Sequence, residues 1–425
     1  MRGCWKRSRG LWAVLVLVLA GCREEPVDTS KETPRAVLEW SGISRGLVPS
    51  IVGGFVPHSR QVALTHVAMH DAINSIRHRY ETHGTPVAAS PNASPEAAAI
   101  AAAHSILVRL YPERQAELAE RYVTSLASLP DSLRKTEGIQ VGEAVAEQLW
   151  NLRAGDRSNE APTYVAPTPE QGVWRQVPPW SEQGLYPNTF LAQWSAVRTW
   201  AVPSAAEFRC PPPPALTSEL FVRDLQEVKL LGARTSAVRT QDQTDAGLFW
   251  APITAPLLAI DVGQELATRR GLDLEDTARI LALGSMAAAD AVIINIHSKQ
   301  VFNFWRPITA IREGSPGVAA DPSWMPLIDT PPNQEYPAGH PQQSSAVLNT
   351  YAQLFGSEPF ATPLVVRNPQ GKERSFGSFQ QMVEDVVLGR IVGGMHYRNS
   401  GVVGAESGRQ IATWVTSHSL QPMAD

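Results

Sequence analysis

The sequence predicts an all-α protein whose helices pack as bundles. Apolar residues recur at helical spacing over long segments such as residues 59–77, as expected for helices that bury one face. Ser94 followed by Pro95 has the form of a helix start, because serine caps the first turn and proline is tolerated at its first position. We find no alternating pattern that would indicate a series of strands, and no repeat of fixed period.

The helical pattern occurs in two groups of segments. The first group lies in the N-terminal part of the chain, and the second follows a long stretch that lacks the pattern. The strongly apolar segment 273–298 predicts a helix that is buried in the core. The predicted helices cover residues 59–77, 94–110, 112–128, 131–153, 217–232, 240–250, 253–269, 273–298, 339–356, 376–396 and 401–418.

Residues 162–214 separate the two groups of helices. This stretch is rich in proline and also contains four tryptophans, which a disordered linker would rarely carry. We therefore expect an ordered, irregular excursion that packs over the helices. The predicted organisation is a single domain over residues 37–425, with an N-terminal bundle at about 37–160, the excursion at about 161–215 and a C-terminal bundle at about 216–418.

Residues 1–21 have the composition of a secretory signal peptide, with a basic start and an apolar stretch. The stretch ends in Leu-Ala-Gly-Cys22, which resembles the lipobox of bacterial lipoproteins; the alternative is an ordinary signal peptide that contains a cysteine. A lipidated Cys22 would anchor the protein in the bacterial cell envelope, periplasm-facing or at the surface, with residues 22–36 as a polar tether. Arg23 replaces the aspartate that retains some lipoproteins at the inner membrane, which favours the outer membrane.

Composition excludes several classes of protein. The 43% of hydrophobic residues is enough for a sizeable core and excludes a wholly disordered chain. Cleavage before Cys22 removes four cations and no acids, so the net charge falls from −4 to −8 and nucleic acid is not expected as a partner. Of the three cysteines, Cys4 would be lost and Cys22 lipidated, which leaves Cys210 without a partner for an intrachain disulfide.

Three short segments carry residues suited to holding an oxyanion. Lys299 and Arg306 are seven residues apart, which on one continuous helix places both cations on the same face. A Gly-His340 pair follows a proline turn and begins a helix, whose free N–H groups and positive dipole end attract anions. Arg390 and His396 flank two glycines, which leave the backbone accessible. Arginine binds oxyanions bidentately and lysine acts as a point charge, so the segments together predict one anion pocket.

The order of these segments resembles a known superfamily. The pattern Lys-x6-Arg-Pro, then Gly-His, then Arg-x5-His is that of the superfamily joining vanadium-dependent haloperoxidases and type 2 phosphatidic acid phosphatases. The matching residues are Lys299, Arg306, Pro307, Gly339, His340, Arg390 and His396. Residues 60–76, 227–232 and 239–250 also look like bacterial haloperoxidase-like proteins, so the resemblance covers about residues 37–418. The long N-terminal part, which is absent from the small membrane phosphatases, favours the haloperoxidase side.

The resemblance implies two packed four-helix bundles and a vanadate cofactor. His396 would bind vanadium through a ring nitrogen, and His340 would act as the catalytic acid or base. The vanadate oxygens would be held by Lys299, Arg306, Arg390 and the backbone N–H of Gly339. The implied partners are hydrogen peroxide and a halide or small organic substrate, with the halide oxidised to a hypohalous-acid equivalent. Homodimers are common among similar proteins, which makes a homodimer an expectation here.

Departures from the family pattern leave two other functions open. Ala338 stands where the family has serine, which keeps open a non-catalytic surface lipoprotein that binds an anion. The second alternative is an acid-phosphatase-type phosphohydrolase, with His396 as nucleophile and His340 as general acid. Ser400 disfavours it, because the phosphatases have an aspartate there that orients the nucleophilic histidine. Asn333 occupies a position that influences halide choice in the family.

Three further histidines have more than one interpretation. His66 and His70 lie one helical turn apart, a spacing that suits a metal ion, but the glutamate of the His-Glu-x-x-His motif is absent. The alternative is a core helix whose histidines make hydrogen bonds. His297 either lines the pocket or caps the end of the buried helix.

Overall fold

A computed structural model describes, beyond Met1, residues 32–48, 55–161, 164–183 and 191–423. The described residues from Thr33 onward form one compact unit. The predicted signal peptide and the lipidation site Cys22 lie outside the described residues.

The described residues form fourteen α-helices and one small antiparallel sheet, so the predicted all-α class is confirmed. The N-terminal helices are α1 (Arg35–Leu47), α2 (Phe55–Arg77), α3 (Pro95–Leu110), α4 (Gln115–Ala127) and α5 (Leu133–Ala154). The middle helices are α6 (Trp180–Gln183), α7 (Glu219–Leu231), α8 (Gln241–Trp250) and α9 (Ala255–Arg270). The C-terminal helices are α10 (Leu274–Phe302), α11 (Pro307–Glu313), α12 (Gly339–Phe355), α13 (Phe379–Val392) and α14 (Arg398–His418). Strands β1 (Leu364–Arg367) and β2 (Glu373–Phe376) pair in a hairpin, with Leu364 opposite Phe376.

Helix α10 is the centre of the fold. It packs against α2 of the N-terminal group, against α9 of the middle group and against α12 and α14 of the C-terminal group. Its start is fixed by Asp273, whose side chain accepts the backbone N–H of Asp276. By length and composition α10 could cross a membrane, but 89% of its most apolar window is buried inside the protein, as in the core helix of a soluble domain.

Several element boundaries differ from those expected. Helix α1 begins at Arg35, inside the segment predicted as a tether, and its Trp40 is buried and donates to Ser125 of α4. The helix predicted to run to residue 396 ends at Val392, because Gly394 has φ +78° and reverses the chain. Helix α11 and the hairpin lie in stretches where the sequence showed no clear pattern.

The excursion between the bundles is anchored to the helices. The Asp290 carboxylate on α10 accepts three successive backbone N–H groups, those of Trp200 at 2.6 Å, Ala201 at 2.8 Å and Val202 at 3.0 Å. The Arg153 guanidinium lies 4.2 Å from the centre of the Trp200 ring, close enough for a cation–π interaction. The described part of the excursion is therefore held by defined contacts.

The excursion also supports the loop that follows α10. Trp174 N–H donates to the Asn303 carbonyl at 2.7 Å, and Trp305 N–H donates to the Gly172 carbonyl at 3.0 Å. The Tyr336 hydroxyl donates to the Pro211 carbonyl at 2.9 Å. The proline-rich stretch thus forms hydrogen bonds with two of the three segments from which the sequence predicts an anion site.

Candidate active site

Lys299 and Arg306 come together by a different route from the one expected. Asn303 takes a left-handed conformation with φ +47° and ends α10, so the two cations are not on one helix. Lys299 lies in the last turn of α10, and Arg306 is the N-cap of α11. The prediction of a shared helix face was wrong, because the seven-residue spacing spans a turn between two helices.

The Lys299 ammonium is buried against backbone carbonyls. Its Nζ donates to the Gln334 carbonyl and, at 3.0 Å, to the Glu335 carbonyl. Burial and the Arg306 charge lower the pKa of Lys299 well below its ordinary value, while the nearby Glu335 carboxylate opposes the shift. Lys299 is therefore held by backbone carbonyls and forms no direct salt bridge with a residue that the structure describes.

The Arg306 guanidinium is tied at each of its nitrogens and is 1% exposed. Nε donates to the Asn333 carbonyl at 2.8 Å, and Nη2 donates to Asn333 Oδ1 at 2.5 Å. Nη1 donates to the Met395 carbonyl at 2.9 Å and lies 3.0 Å from His396 Nε2. Burial lowers the pKa of Arg306 to about 10. Asn333, singled out for its position in the family pattern, here holds the arginine.

His396 lies in the short connection between α13 and α14. The two glycines before it make the turn possible, since a Cβ on Gly394 would lie 2.6 Å from the Gly232 carbonyl oxygen. The Nδ1 of His396 is 2.8 Å from Glu335 Oε1. Arginine donates hydrogen bonds and cannot accept them, so its contact with Nε2 requires a lone pair on that nitrogen. The ring proton is therefore assigned to Nδ1, and the Nε2 lone pair faces the cations. Burial, then the charges of Arg306 and Lys299, lowers the pKa of His396 well below its ordinary value.

The third cation, Arg390, has no carboxylate partner among its described contacts. It is 3% exposed, its Nη2 donates only to the weak acceptor Met395 Sδ at 3.1 Å, and its Nε makes no hydrogen bond within the described part of the chain. Burial and the Arg306 charge lower its pKa to about 9. A buried guanidinium held in this way indicates a place for an anion.

Gly339 and His340 form the more accessible side of the site. Gly339 is the first residue of α12, after Ala338 at the N-cap, and both Gly339 and His340 keep partial exposure. Burial, then the charges of Arg390, Lys299 and Arg306, lowers the pKa of His340 well below its ordinary value, so His340 is neutral at pH 7. By contrast, the three cations and the proposed vanadium ligand are each at most 3% exposed: Lys299, Arg306, Arg390 and His396.

Sequence reasoning missed Glu335. Its carboxylate is 0% exposed and accepts from the His396 ring and from the Tyr397 N–H. Burial raises the pKa of Glu335 to about 7, although the charges of Arg306 and Lys299 act to lower it. Ser400 does not take the aspartate's place: its buried hydroxyl makes no described hydrogen bond to His396 and lies beside the Glu335 carboxylate, where it opposes the rise of that pKa. A carboxylate five residues before His340 was the available signal, but nothing in the local spacing links it to His396.

The other histidines lie apart from these contacts. His66 is buried between the hydroxyls of Ser41 at 2.9 Å and Ser285 at 2.7 Å, and burial lowers its pKa to about 3. His70 pairs with Asp71 at 3.0 Å. These hydrogen bonds inside the protein favour the core interpretation for both histidines. His297 is half-buried near the Ser195 backbone and Arg209.

Comparison with known proteins finds vanadium-dependent peroxidases among those that this chain resembles. Residues 279–425 match the family model of the vanadium chloroperoxidase (VCPO) second helical-bundle domain. Vanadium chloroperoxidase from Curvularia inaequalis is 29% identical over 148 residues, which cover 29% of this chain and 24% of that protein. The chain thus matches about a quarter of the curated relative's length. The C-terminal part of the chain, residues 279–425, is thus similar to the VCPO second helical-bundle domain.

Solved structures show the same helical fold over most of the chain. A bacterial vanadium-dependent iodoperoxidase superimposes with a TM-score of 0.78 at 23% identity and covers 95% of this chain and 100% of its own. The apo form of a bacterial vanadium-dependent chloroperoxidase gives a TM-score of 0.67 at 14% identity, with 85% and 93% covered. At these identities the similarity establishes the fold. The residue roles stay predictions.

Proposed function

We propose that the chain is a vanadate-dependent peroxidase that oxidises a halide or another small reductant with hydrogen peroxide. One observation carries the proposal. Within the part of the chain that the structure describes, Lys299, Arg306 and Arg390 are buried near the Glu335 carboxylate, and Arg390 makes no contact with an acid. A pocket with this excess of positive charge suits an oxyanion of charge two or three.

The residues present fit vanadate. Arg390 offers an Nε donor without a partner in the described chain, Lys299 and Arg306 add charge, and His396 presents a ring lone pair on Nε2. The N–H of Gly339 at the start of α12 supplies a further donor. When bound, vanadate supplies the Lewis acid that activates hydrogen peroxide. No Cys ligand or haem is required.

Each residue then has a defined task. The three cations hold the oxyanion, and their burial excludes water so that their charges act at low dielectric. His396 is held as a neutral ring whose Nε2 can bind vanadium. His340 is neutral, so its ring can accept a proton from incoming peroxide and return it to a leaving oxygen.

A phosphohydrolase is the second candidate, and the Glu335–His396 pair is the observation that favours it. A histidine that attacks phosphorus needs a carboxylate to orient it, which Ser400 cannot supply and Glu335 can. His340 would then protonate the leaving group. The non-catalytic alternative rests on Ala338 and keeps the anion pocket without turnover.

Activity of the purified protein separates these functions. After reconstitution with orthovanadate, bromide- or iodide-dependent halogenation of monochlorodimedone should appear in wild type, be lost in His396→Ala and persist in His297→Ala. The control His297 lies two residues from Lys299 but contacts other groups. Hydrolysis of p-nitrophenyl phosphate by the vanadate-free protein, with no halogenation, would favour the phosphohydrolase. Neither activity, with retained anion binding, would favour the non-catalytic function.

We also propose that the mature protein begins at a lipidated Cys22 and is held at the bacterial cell envelope, preferably the outer membrane. The proposal rests on the lipobox-like Leu-Ala-Gly-Cys22 sequence. Labelling of cells with an alkyne-bearing palmitate should tag the wild type and not Cys22→Ala. Labelling that persists in the variant would contradict the proposal.

A further inference from the structure

Glu335 touches more of the site than its place in the sequence indicates. It lies in the loop between α11 and α12, where its N–H donates to the Phe304 carbonyl at 2.9 Å. Its carbonyl accepts the Lys299 ammonium at 3.0 Å. Its carboxylate Oε1 accepts from His396 Nδ1 at 2.8 Å and from the Tyr397 N–H at 3.1 Å. One residue thus contacts both a proposed anion-holding cation and the proposed vanadium ligand.

We propose that Glu335 is the positioning residue that holds His396 in the tautomer and orientation needed to bind vanadium. The inference rests on the proposed function of His396 as the vanadium ligand. The hydrogen bond at Nδ1 leaves Nε2 as the only ring nitrogen that can bind, and it faces Arg306. The second bond, to the Tyr397 N–H, fixes the carboxylate relative to the first turn of α14.

The cost of burying this carboxylate supports a functional role. Its other oxygen, Oε2, is buried without a well-formed hydrogen bond to the described residues, although the Ser400 hydroxyl lies near enough to oppose the rise of the carboxyl pKa. An unsatisfied buried carboxylate oxygen is unfavourable for folding. The carboxylate also adds negative charge where an anion is to bind, which weakens binding by itself. Both costs are explained if the carboxylate orients the ring.

Removal of the Glu335 carboxylate should change the affinities for phosphate and for vanadate in opposite directions. Orthophosphate and orthovanadate have the same shape and similar charge, but only vanadate should bond to the His396 ring. If Glu335 acted only through its charge, its removal would tighten binding of both anions. If it orients the ring, removal leaves phosphate binding equal or tighter and weakens vanadate binding, by about 10- to 100-fold for loss of such a supporting contact.

The variants are Glu335→Ala, Glu335→Gln and a matched control, Asp71→Asn. Asp71 forms the other buried histidine–carboxylate pair, with His70. Glutamine keeps the volume of glutamate and an oxygen that can accept from Nδ1, so Glu335→Gln should weaken vanadate binding less than Glu335→Ala does. It also keeps the test informative if the alanine variant does not fold. Asp71→Asn should lower stability without changing either dissociation constant.

Isothermal titration calorimetry supplies the two constants, and ¹⁵N-histidine NMR of the anion-free protein supplies the tautomer. The His396 signals, assigned by their loss in His396→Ala, should show a proton on Nδ1 in wild type and a tautomer mixture in Glu335→Ala. An unchanged tautomer, or parallel changes in phosphate and vanadate affinity, would overturn the inference. Because the NMR readout needs no vanadate, a failure of wild type to bind vanadate would refute the proposed function while the NMR still decides the role of Glu335.

Discussion

Replacement of Arg390 by methionine should stabilise the anion-free protein and weaken anion binding at the same time. Most buried arginines behave differently, because removing one leaves its acid partner unpaired. Arg390 has no such partner among its described contacts; its hydrogen bond goes to the Met395 thioether. Methionine is similar in length and places an apolar group in a buried position.

The size of the effect follows from the environment of the charge. Lowering the pKa of Arg390 to about 9 corresponds to about 5 kcal/mol of unfavourable free energy for the charged form. The gap left by the smaller side chain offsets about 2–3 kcal/mol of this. We therefore expect Arg390→Met to gain about 2 kcal/mol of stability without anion. Loss of a charge-assisted bidentate contact should cost about 2–4 kcal/mol of binding, a rise in the orthovanadate Kd of about 30- to 1000-fold.

Thermal unfolding with and without orthovanadate measures both effects. Without vanadate or phosphate, Tm should be higher for the variant than for wild type. Orthovanadate at a concentration of 100 Kd should stabilise the wild type by about 2.7 kcal/mol and so raise its Tm. The Tm of the variant should stay almost unchanged at the same concentration. Arg153→Met is the matched control, because Arg153 is equally buried but pairs with Asp156 and donates to the Thr199 carbonyl at 2.9 Å. It should lose about 3–5 kcal/mol without altering vanadate affinity. A destabilised Arg390→Met with normal vanadate affinity would refute the reasoning.

Three further substitutions test other parts of the structure. Gly394→Ala should lose more than about 2 kcal/mol of stability in denaturant unfolding, since φ is +78° and the new Cβ would lie 2.6 Å from the Gly232 carbonyl; a neutral effect would contradict the turn that presents His396. Ala338→Ser should lower the orthovanadate Kd about fivefold in calorimetry, because Ala338 is the N-cap of α12 next to Gly339 and the new hydroxyl adds an O–H donor there; unchanged affinity would place the hydroxyl away from the anion. His66→Gln should flatten the pH dependence of stability. Burial lowers the pKa of His66 to about 3, so the neutral ring contributes its full stabilisation above about pH 6.5 and this stabilisation is lost as the pH falls. Wild type should lose about 2–3 kcal/mol more than this variant between pH 6 and pH 4, and equal losses would be inconsistent with a neutral buried His66.

Local patterns in the sequence were enough to predict most helices. Apolar spacing and caps such as Asp273 are properties of neighbouring residues, so they are visible without a structure. Helix α1 was missed because Pro34 at its N-cap makes no side-chain hydrogen bond and its polar neighbours resemble a tether. The turn at Asn303 was missed because a left-handed asparagine leaves no periodic signal.

The composition of the site was more predictable than its geometry. The motifs identified Lys299, Arg306 and His396 by residue type and spacing, and the structure brings Arg306 and His396 into contact. The carboxylate of Glu335 reaches His396 across 61 positions of the chain, a pairing that only the tertiary fold creates. Contacts to backbone carbonyls, such as those of Lys299, also depend on the path of the loop and not on residue identity.

We expect that the buried cations and His396 together bind one oxyanion. Crystals grown with orthovanadate and measured for anomalous scattering by vanadium test it most directly. We predict a single strong peak next to His396 Nε2, within reach of Lys299, Arg306 and Arg390, and no peak in His396→Ala at the same vanadate concentration. A peak elsewhere, or an empty pocket at saturating vanadate, would contradict the account.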